Sequence, residues 1–99
     1  MSVTAIYTLQ AKETKADELL ALLEQARDLT LTVDGCEGFD VYQGKNDRNR
    51  FVMVERWTSV EIHQAHFEKN AKGSGWLDAV EALMNAPFAR PQDSYYLLR

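Results

Sequence analysis

The two histidines of this sequence, His63 and His66, stand three residues apart, and Asn70 follows a turn later. At roughly 100° per residue, Glu61, Gln64 and Glu68 share one side of a helix and must face water. The opposite arc is flanked by Ile62 and by Val60 with Phe67, and its middle holds His63, His66 and Asn70. Polar side chains at the centre of an inward face are not how a plain core is built. They predict either a cavity lined by imidazole and amide groups or hydrogen bonds to the sheet beneath. Glu55 raises a similar question. It alternates with Phe51, Met53 and Trp57 and so shares their inward face. A carboxyl there either serves as a proton acceptor at the edge of a pocket or pairs with an arginine, Arg90 or a partner chain's Arg56, to support the fold.

Other candidates carry less. A histidine pair at this spacing can share a metal, but no nearby Cys or Asp completes a ligand set, and no metal is expected. Gly73-Ser74-Gly75 ahead of a helix lacks the Lys-Ser/Thr pair of a phosphate loop and reads as a helix break. Cys36 is followed by Glu37 and has no activating cation nearby. Tyr95 and Tyr96 read as packing residues of the final strand.

The elements that position these residues follow from periodicity. Val3, Ala5, Tyr7 and Leu9 alternate with polar residues and predict a strand. A helix follows from about Thr14, with Thr14 and Asp17 as an approximate capping box and Ala16, Leu19, Leu20, Leu23, Ala26 and Thr30 as its apolar stripe. Strands at about Gly38–Gln43 and Arg50–Trp57 are joined by a polar loop. Thr58 and Glu61 form a second capping box, with Trp57 and Ile62 as a hydrophobic staple. After the break at Lys72-Gly73-Ser74-Gly75 a third helix runs over about Trp76–Met84, and Ser94–Leu98 makes the last strand. The order is β-α-β-β-α-β over a single domain spanning residues 1–99, with the second helical stretch broken in two. Its natural two-layer solution is α+β: a ferredoxin-like antiparallel sheet with helices on one face.

That solution leaves a surplus. Val52 and Val54 point away from Phe51, Met53 and Trp57, so both faces of the third strand are apolar and the helices cover only one. A second copy of the chain, sheet against sheet, is the simplest cover.

Composition narrows the function. The chain has 99 residues, is 45% apolar and carries a net charge of −4. Mild acidity speaks against nucleic acid as a partner, and no apolar run approaches the roughly 20 residues needed to span a membrane. The N-terminus lacks the cations of a secretory leader, and a single cysteine fits a reducing compartment, so a cytoplasmic protein is expected.

Phe51-Val52-Met53-Val54-Glu55-Arg56-Trp57-Thr58-Ser59, with Ala65-His66 beyond, resembles the signature of the antibiotic biosynthesis monooxygenase (ABM) domain family, closest to its quinol monooxygenase-like branch. Gly35-Cys36-Glu37-Gly38-Phe39-Asp40-Val41-Tyr42 resembles the family's glycine-cysteine turn into the second strand. The resemblance implies a dimeric α+β barrel, and an oxygenase that uses no cofactor and acts with molecular oxygen on a quinol-like or polyketide-type aromatic. It implies His66 as general base or hydrogen-bond partner, Trp57 as a flat pocket wall and Glu55 as an orienting group. His63 and Asn70 would bind substrate, with Phe51, Phe67, Trp76 and Leu77 lining the remainder. Many relatives have a second histidine, preceded by proline, where this chain reads Asn70-Ala71-Lys72. The haem-degrading branch wants an asparagine on the first strand, and Val3–Leu9 has none. Two other readings stay open: a non-catalytic dimeric module binding a small ligand or associated with stress, and an isomerase of a small phosphorylated metabolite with Lys69, Lys72 and Arg90 at its mouth.

Overall fold

The computed structural model describes residues 2–88 and the backbone of Tyr95–Leu97. Strand β1 (Val3–Gln10) is followed by helix α1 (Ala16–Thr30), strands β2 (Cys36–Gln43) and β3 (Arg50–Trp57), and helix α2 (Val60–His66). A π-helical segment (Phe67–Lys72) continues α2, and helix α3 (Trp76–Ala82) and strand β4 (Tyr95–Leu97) complete the fold. The strands pair antiparallel in the order β2-β3-β1-β4, which is the ferredoxin-like arrangement. Of the last predicted strand, Ser94 and Leu98 lie outside the described residues, as does Arg90.

The period of two in β1 and β3 is realised directly. Val3, Ala5, Tyr7 and Leu9 are buried, as are Phe51, Met53, Glu55 and Trp57 across the ladder. Register stacks this inward face in rows: Leu9 beside Phe51, then Tyr7 beside Met53, Ala5 beside Glu55, and Val3 beside Trp57. Phe39 of β2 extends the Glu55 row. The core gathers at the Leu9–Phe51 end, where Leu19 and Leu23 of α1, Val80 of α3 and Met84 close over the sheet. The opposite face carries Ile6 beside Val54 and Thr8 beside Val52, and Tyr42 beyond Val52 is exposed.

The helix starts differ from the sequence-based expectation. Thr14 is not a cap: its φ of 68° places it in a left-handed turn, and α1 begins after Lys15 with no side-chain cap. Asp17 and Glu18 in the first turn instead offset the exposed amides through the helix dipole. For α2 the cap is Ser59, whose extended backbone lets Oγ accept from the Ile62 amide at 3.2 Å. Thr58 is already committed, its amide donating to the Gly35 carbonyl at 2.9 Å. The capping frame therefore moves one residue along, and Ile62 is 40% exposed rather than stapled to Trp57. Gly35, at φ +97°, lies so close to α2 that a Cβ would fall 2.7 Å from Ile62 Cγ2. That close approach brings the start of α2, and so His63, down onto the sheet. The third helix ends at Ala82, and Met84 forms an isolated bridge to Ala11 instead.

Candidate active site

A cavity of about 660 Å³ lies between the sheet and the helical layer. Tyr7, Met53, Glu55 and Phe39 contribute to its floor, and α1 supplies one wall through Leu22, Ala26, Leu29 and Thr30. His63, His66, Phe67, Asn70, Trp76 and Phe88 form the other side.

The two histidines reach this space in different ways. His63 is 2% exposed and points onto the sheet. Its Nε2 lies 3.3 Å from the Tyr7 hydroxyl and 3.5 Å from Glu55 Oε1. The same Oε1 accepts from Trp57 Nε1 at 3.0 Å. Glu55 is thus met by an indole and an imidazole within its own chain; of its expected arginine partners, Arg90 lies outside the described residues. His66 is half-buried one turn on. Asn70 Nδ2 lies 2.9 Å from His66 Nδ1, and since the amide nitrogen only donates, Nδ1 accepts. Nε2 then carries the proton and faces Thr30 Oγ1 at 3.5 Å. Burial pushes the His66 imidazole below its ordinary value; nearby Glu55 opposes that shift and His63 adds slightly to it. His66 is therefore neutral at neutral pH, as a proton acceptor must be.

Trp57 does not line the cavity as a wall. It is fully buried behind the histidines, its ring 5.0 Å from that of His63 and 5.2 Å from that of His66. Phe51 and Leu77 are also outside the lining. Phe51 belongs to the closed core at the far end of the sheet, because sharing a face is not sharing a row. Phe67 and Trp76 do reach the cavity, with Trp76 Nε1 donating to the Leu22 carbonyl at 3.0 Å. Asn70 is exposed at the rim, not centred on an inward arc, because the backbone turns π-helical from Phe67 onward. π-Helical turns are found disproportionately at functional sites. Here the turn sets Asn70 against His66, and Ser74 Oγ in turn donates to the Asn70 carbonyl.

Three contributors escaped the sequence reading. Tyr7 reads as one more apolar strand residue, yet a buried phenol needs a partner, and that need was the available signal. Thr30 sat in the α1 stripe as an honorary apolar residue. Phe88 carried no pattern at all; its amide donates to Glu81 Oε2 at 2.7 Å, which holds its ring 4.9 Å from Tyr7 and 5.9 Å from Trp76. Lys69 and Lys72 do not line the cavity, and Lys72 pairs with Glu68 at 3.4 Å. Burial raises the Cys36 thiol above its usual value, which disfavours the thiolate that a nucleophile needs. Among the described residues, no three His, Cys, Asp or Glu side chains group as metal ligands, and no helix is long and apolar enough to cross a membrane.

A sequence model of the family described as antibiotic biosynthesis monooxygenase matches residues 2–83. The chain belongs to that family. The ABM fold is shared with Rv0793 from Mycobacterium tuberculosis, at 24% identity and a TM-score of 0.79 over 90% of this chain and 89% of that one. A Nitrosomonas europaea protein carrying the same family name superimposes at a TM-score of 0.80 with 23% identity, covering 89% of this chain and 84% of the other. A conserved protein from Methanosarcina mazei does so at 0.80 and 18% identity, over 90% and 87% of the two chains. At these identities the superpositions establish the fold. No curated protein matches the ABM chain described here. Family membership makes oxidoreductase chemistry the coarse functional reading.

Proposed function

We propose that this ABM domain is a monooxygenase that oxidises a quinol-like or polyketide-type aromatic in the cavity between sheet and helices, with no cofactor beyond molecular oxygen. The observation that carries the reading is the neutral His66 imidazole at an apolar cavity wall, with Nδ1 held only by an exposed amide. A substrate hydroxyl replacing the Asn70 amide donates to Nδ1 and transfers its proton there. Thr30 Oγ1 continues to accept from Nε2–H, and Glu55 stabilises the imidazolium across the site. The resulting anion is electron-rich enough to reduce oxygen. A quinol and one oxygen molecule give a hydroxyquinone and water: one oxygen atom bonds to the ring carbon, the other leaves as water, and the quinol supplies all four electrons. The aromatic walls, Phe67, Trp76 and Phe88, hold a flat ring and exclude water, so charge formed inside is stabilised by fixed groups rather than by solvent.

The same proposal includes a cytoplasmic homodimer. Ile6, Val52 and Val54, rimmed by Thr4, Thr8 and Tyr42, make an apolar sheet face that no helix among the described residues covers, and a second copy offers the complementary face. Neither nucleic acid nor membrane is a partner in this reading.

Oxygen uptake on mixing the protein with menadiol-type quinols tests the activity. The expected result is turnover above autoxidation that His66→Ala abolishes. Turnover indifferent to His66→Ala refutes it, and saturable binding without oxygen uptake assigns a ligand-binding module instead.

A further inference from the structure

The cavity opens to solvent, and the residues along its opening differ in character from its polar floor. Lining residues that are also exposed mark that opening: Gln25, Leu29 and Thr32 on the α1 side, and Asn70, Ser74, Gly75 and Ala79 opposite. The opening is therefore a slot running along α1 rather than a round mouth. Leu22, Ala26 and Leu29 line it at i, i+4 and i+7, one stripe of the helix. From Leu22 to Leu29 the stripe is about 10 Å long at the helical rise per residue. One end lies by the proton acceptor, where Thr30 faces His66 Nε2 at 3.5 Å. The other end lies by Trp76, whose indole donates to the Leu22 carbonyl at 3.0 Å. Leu29 is 64% exposed, and a leucine left in water at the edge of a cavity marks where an apolar ligand segment gains by covering it. Among the described residues no Lys, Arg or Asp lines the cavity, and its one carboxyl, Glu55, belongs to the floor. At about 660 Å³ the cavity falls in the range of roughly 300–1,000 Å³ that takes drug-sized ligands, so a flat ring held at His66 leaves part of it unfilled.

We propose that the substrate is an aromatic head carrying an uncharged apolar chain, and that the Leu22-Ala26-Leu29 stripe of α1 is the subsite for that chain. This rests on the aromatic-substrate reading above and deepens it. The ring hydroxyl meets His66, and the chain runs along the slot from Leu29 toward Leu22, with Ala79 across from it. The assignment accounts for the two-sided build of the cavity, in which an aliphatic helix face stands opposite the rings of Phe67, Trp76 and Phe88. A charged substituent in the same slot would lose hydration and gain no counter-charge from the described lining. The site therefore favours lipophilic chains over carboxylate or phosphate substituents of the same length.

The test measures binding, not turnover. The probes are dimethyl naphthoquinone and homologues in which one methyl is lengthened to butyl, hexyl or octyl, titrated into the intact chain and read by quenching of tryptophan fluorescence. Full burial of a methylene gives about fourfold in affinity, and in an open slot the expected gain is about twofold for each added carbon. Leu29→Glu puts a charge on the path of the chain and is expected to remove most of that gain. Leu31 is also exposed, at 48%, but lies outside the lining, and Leu31→Glu is expected to retain it. Both sites are at the surface, and Tm is tracked for both variants. Affinity independent of chain length overturns the proposal. So does a gain that survives Leu29→Glu or that Leu31→Glu removes equally, and so does failure of the whole series to bind. A chain-length gain with no oxygen uptake from the matching quinols sinks the monooxygenase reading and leaves the subsite standing, whereas quinol turnover with no chain-length gain sinks the subsite alone.

Discussion

Trp57 is buried, donates its indole proton to Glu55 at 3.0 Å, and packs in tilted contact with both imidazoles, ring centroids 5.0 and 5.2 Å away. Trp57→Phe retains an aromatic ring but removes the donor and part of the platform. Removing a hydrogen bond to a charged or acidic buried group costs roughly 2 kcal/mol, since the acceptor keeps its desolvation penalty without its partner. The smaller ring removes on the order of 40 Å² of buried apolar surface, about 1 kcal/mol at about 25 cal/mol per Å². The total, about 3 kcal/mol, corresponds to a Tm lowered by on the order of 12–24 °C for a domain of this size. Urea unfolding monitored by circular dichroism measures the stability change. Proton NMR of the two imidazoles reports whether their ring environments move together, as a shared platform requires. A loss below about 1 kcal/mol, or a shift confined to one histidine, refutes the claim that a single indole supports Glu55, His63 and His66 at once.

Two further outcomes follow from the same geometry. Burial depresses the His66 value, so the fold prefers the neutral imidazole; its stabilising contribution is complete above about pH 6.5, the unfolded value, and is lost as pH falls through the folded-state value. An NMR titration midpoint for His66 at or above that of a model histidine contradicts this. For the sheet face, Val54→Asp places a carboxyl beside Ile6 in the middle of the uncovered surface. It is expected to yield a monomer by sedimentation, while the wild-type Tm falls on dilution; a wild-type Tm independent of concentration removes the dimer.

Period and order carried most of the fold. Alternation in Val3–Leu9 and Phe51–Trp57 fixes which side chains face inward, because a pleated strand allows only two faces. Boundaries were less legible where two neighbours compete for one role. Thr58 and Ser59 are both good caps, and the choice was made by a tertiary bond from the Thr58 amide to Gly35, which no local pattern contains. The site was half legible. The polar arc of α2 marked His63 and His66, and the alternation of β3 marked Glu55. The family resemblance places Trp57 as a pocket wall, and face and period place Phe51 and Leu77 in the lining; none of these tells which row of a strand or turn of a helix lies beside open space. The π-helical turn left no trace in the sequence, so a regular helical projection carried Asn70 inward when the backbone places it at the rim.

The rows of the sheet also answer how 99 residues hold both a core and a cavity. Within one face, character changes along the strand rather than across it. The Leu9–Phe51 row is sealed by Leu19, Leu23 and Val80 and supplies the packed core. In the Ala5–Glu55 row the methyl side chain of Ala5 leaves room for the carboxyl, and the Val3–Trp57 row sits under α2, whose histidines replace apolar plugs. The polar groups there are paired: indole to carboxyl within β3, imidazole to phenol between α2 and β1, and amide to imidazole from the π-helical segment to α2. Among the described residues no buried side-chain nitrogen or oxygen lacks a hydrogen-bond partner. A half-satisfied polar network would cost more than the apolar core it displaces. The cavity is therefore compatible with so short a chain because its polar walls are as fully paired as a core is fully packed. In the proposed dimer the apolar surface given up to it is recovered on the other side of the same strands, where Ile6, Val52 and Val54 would meet a second copy.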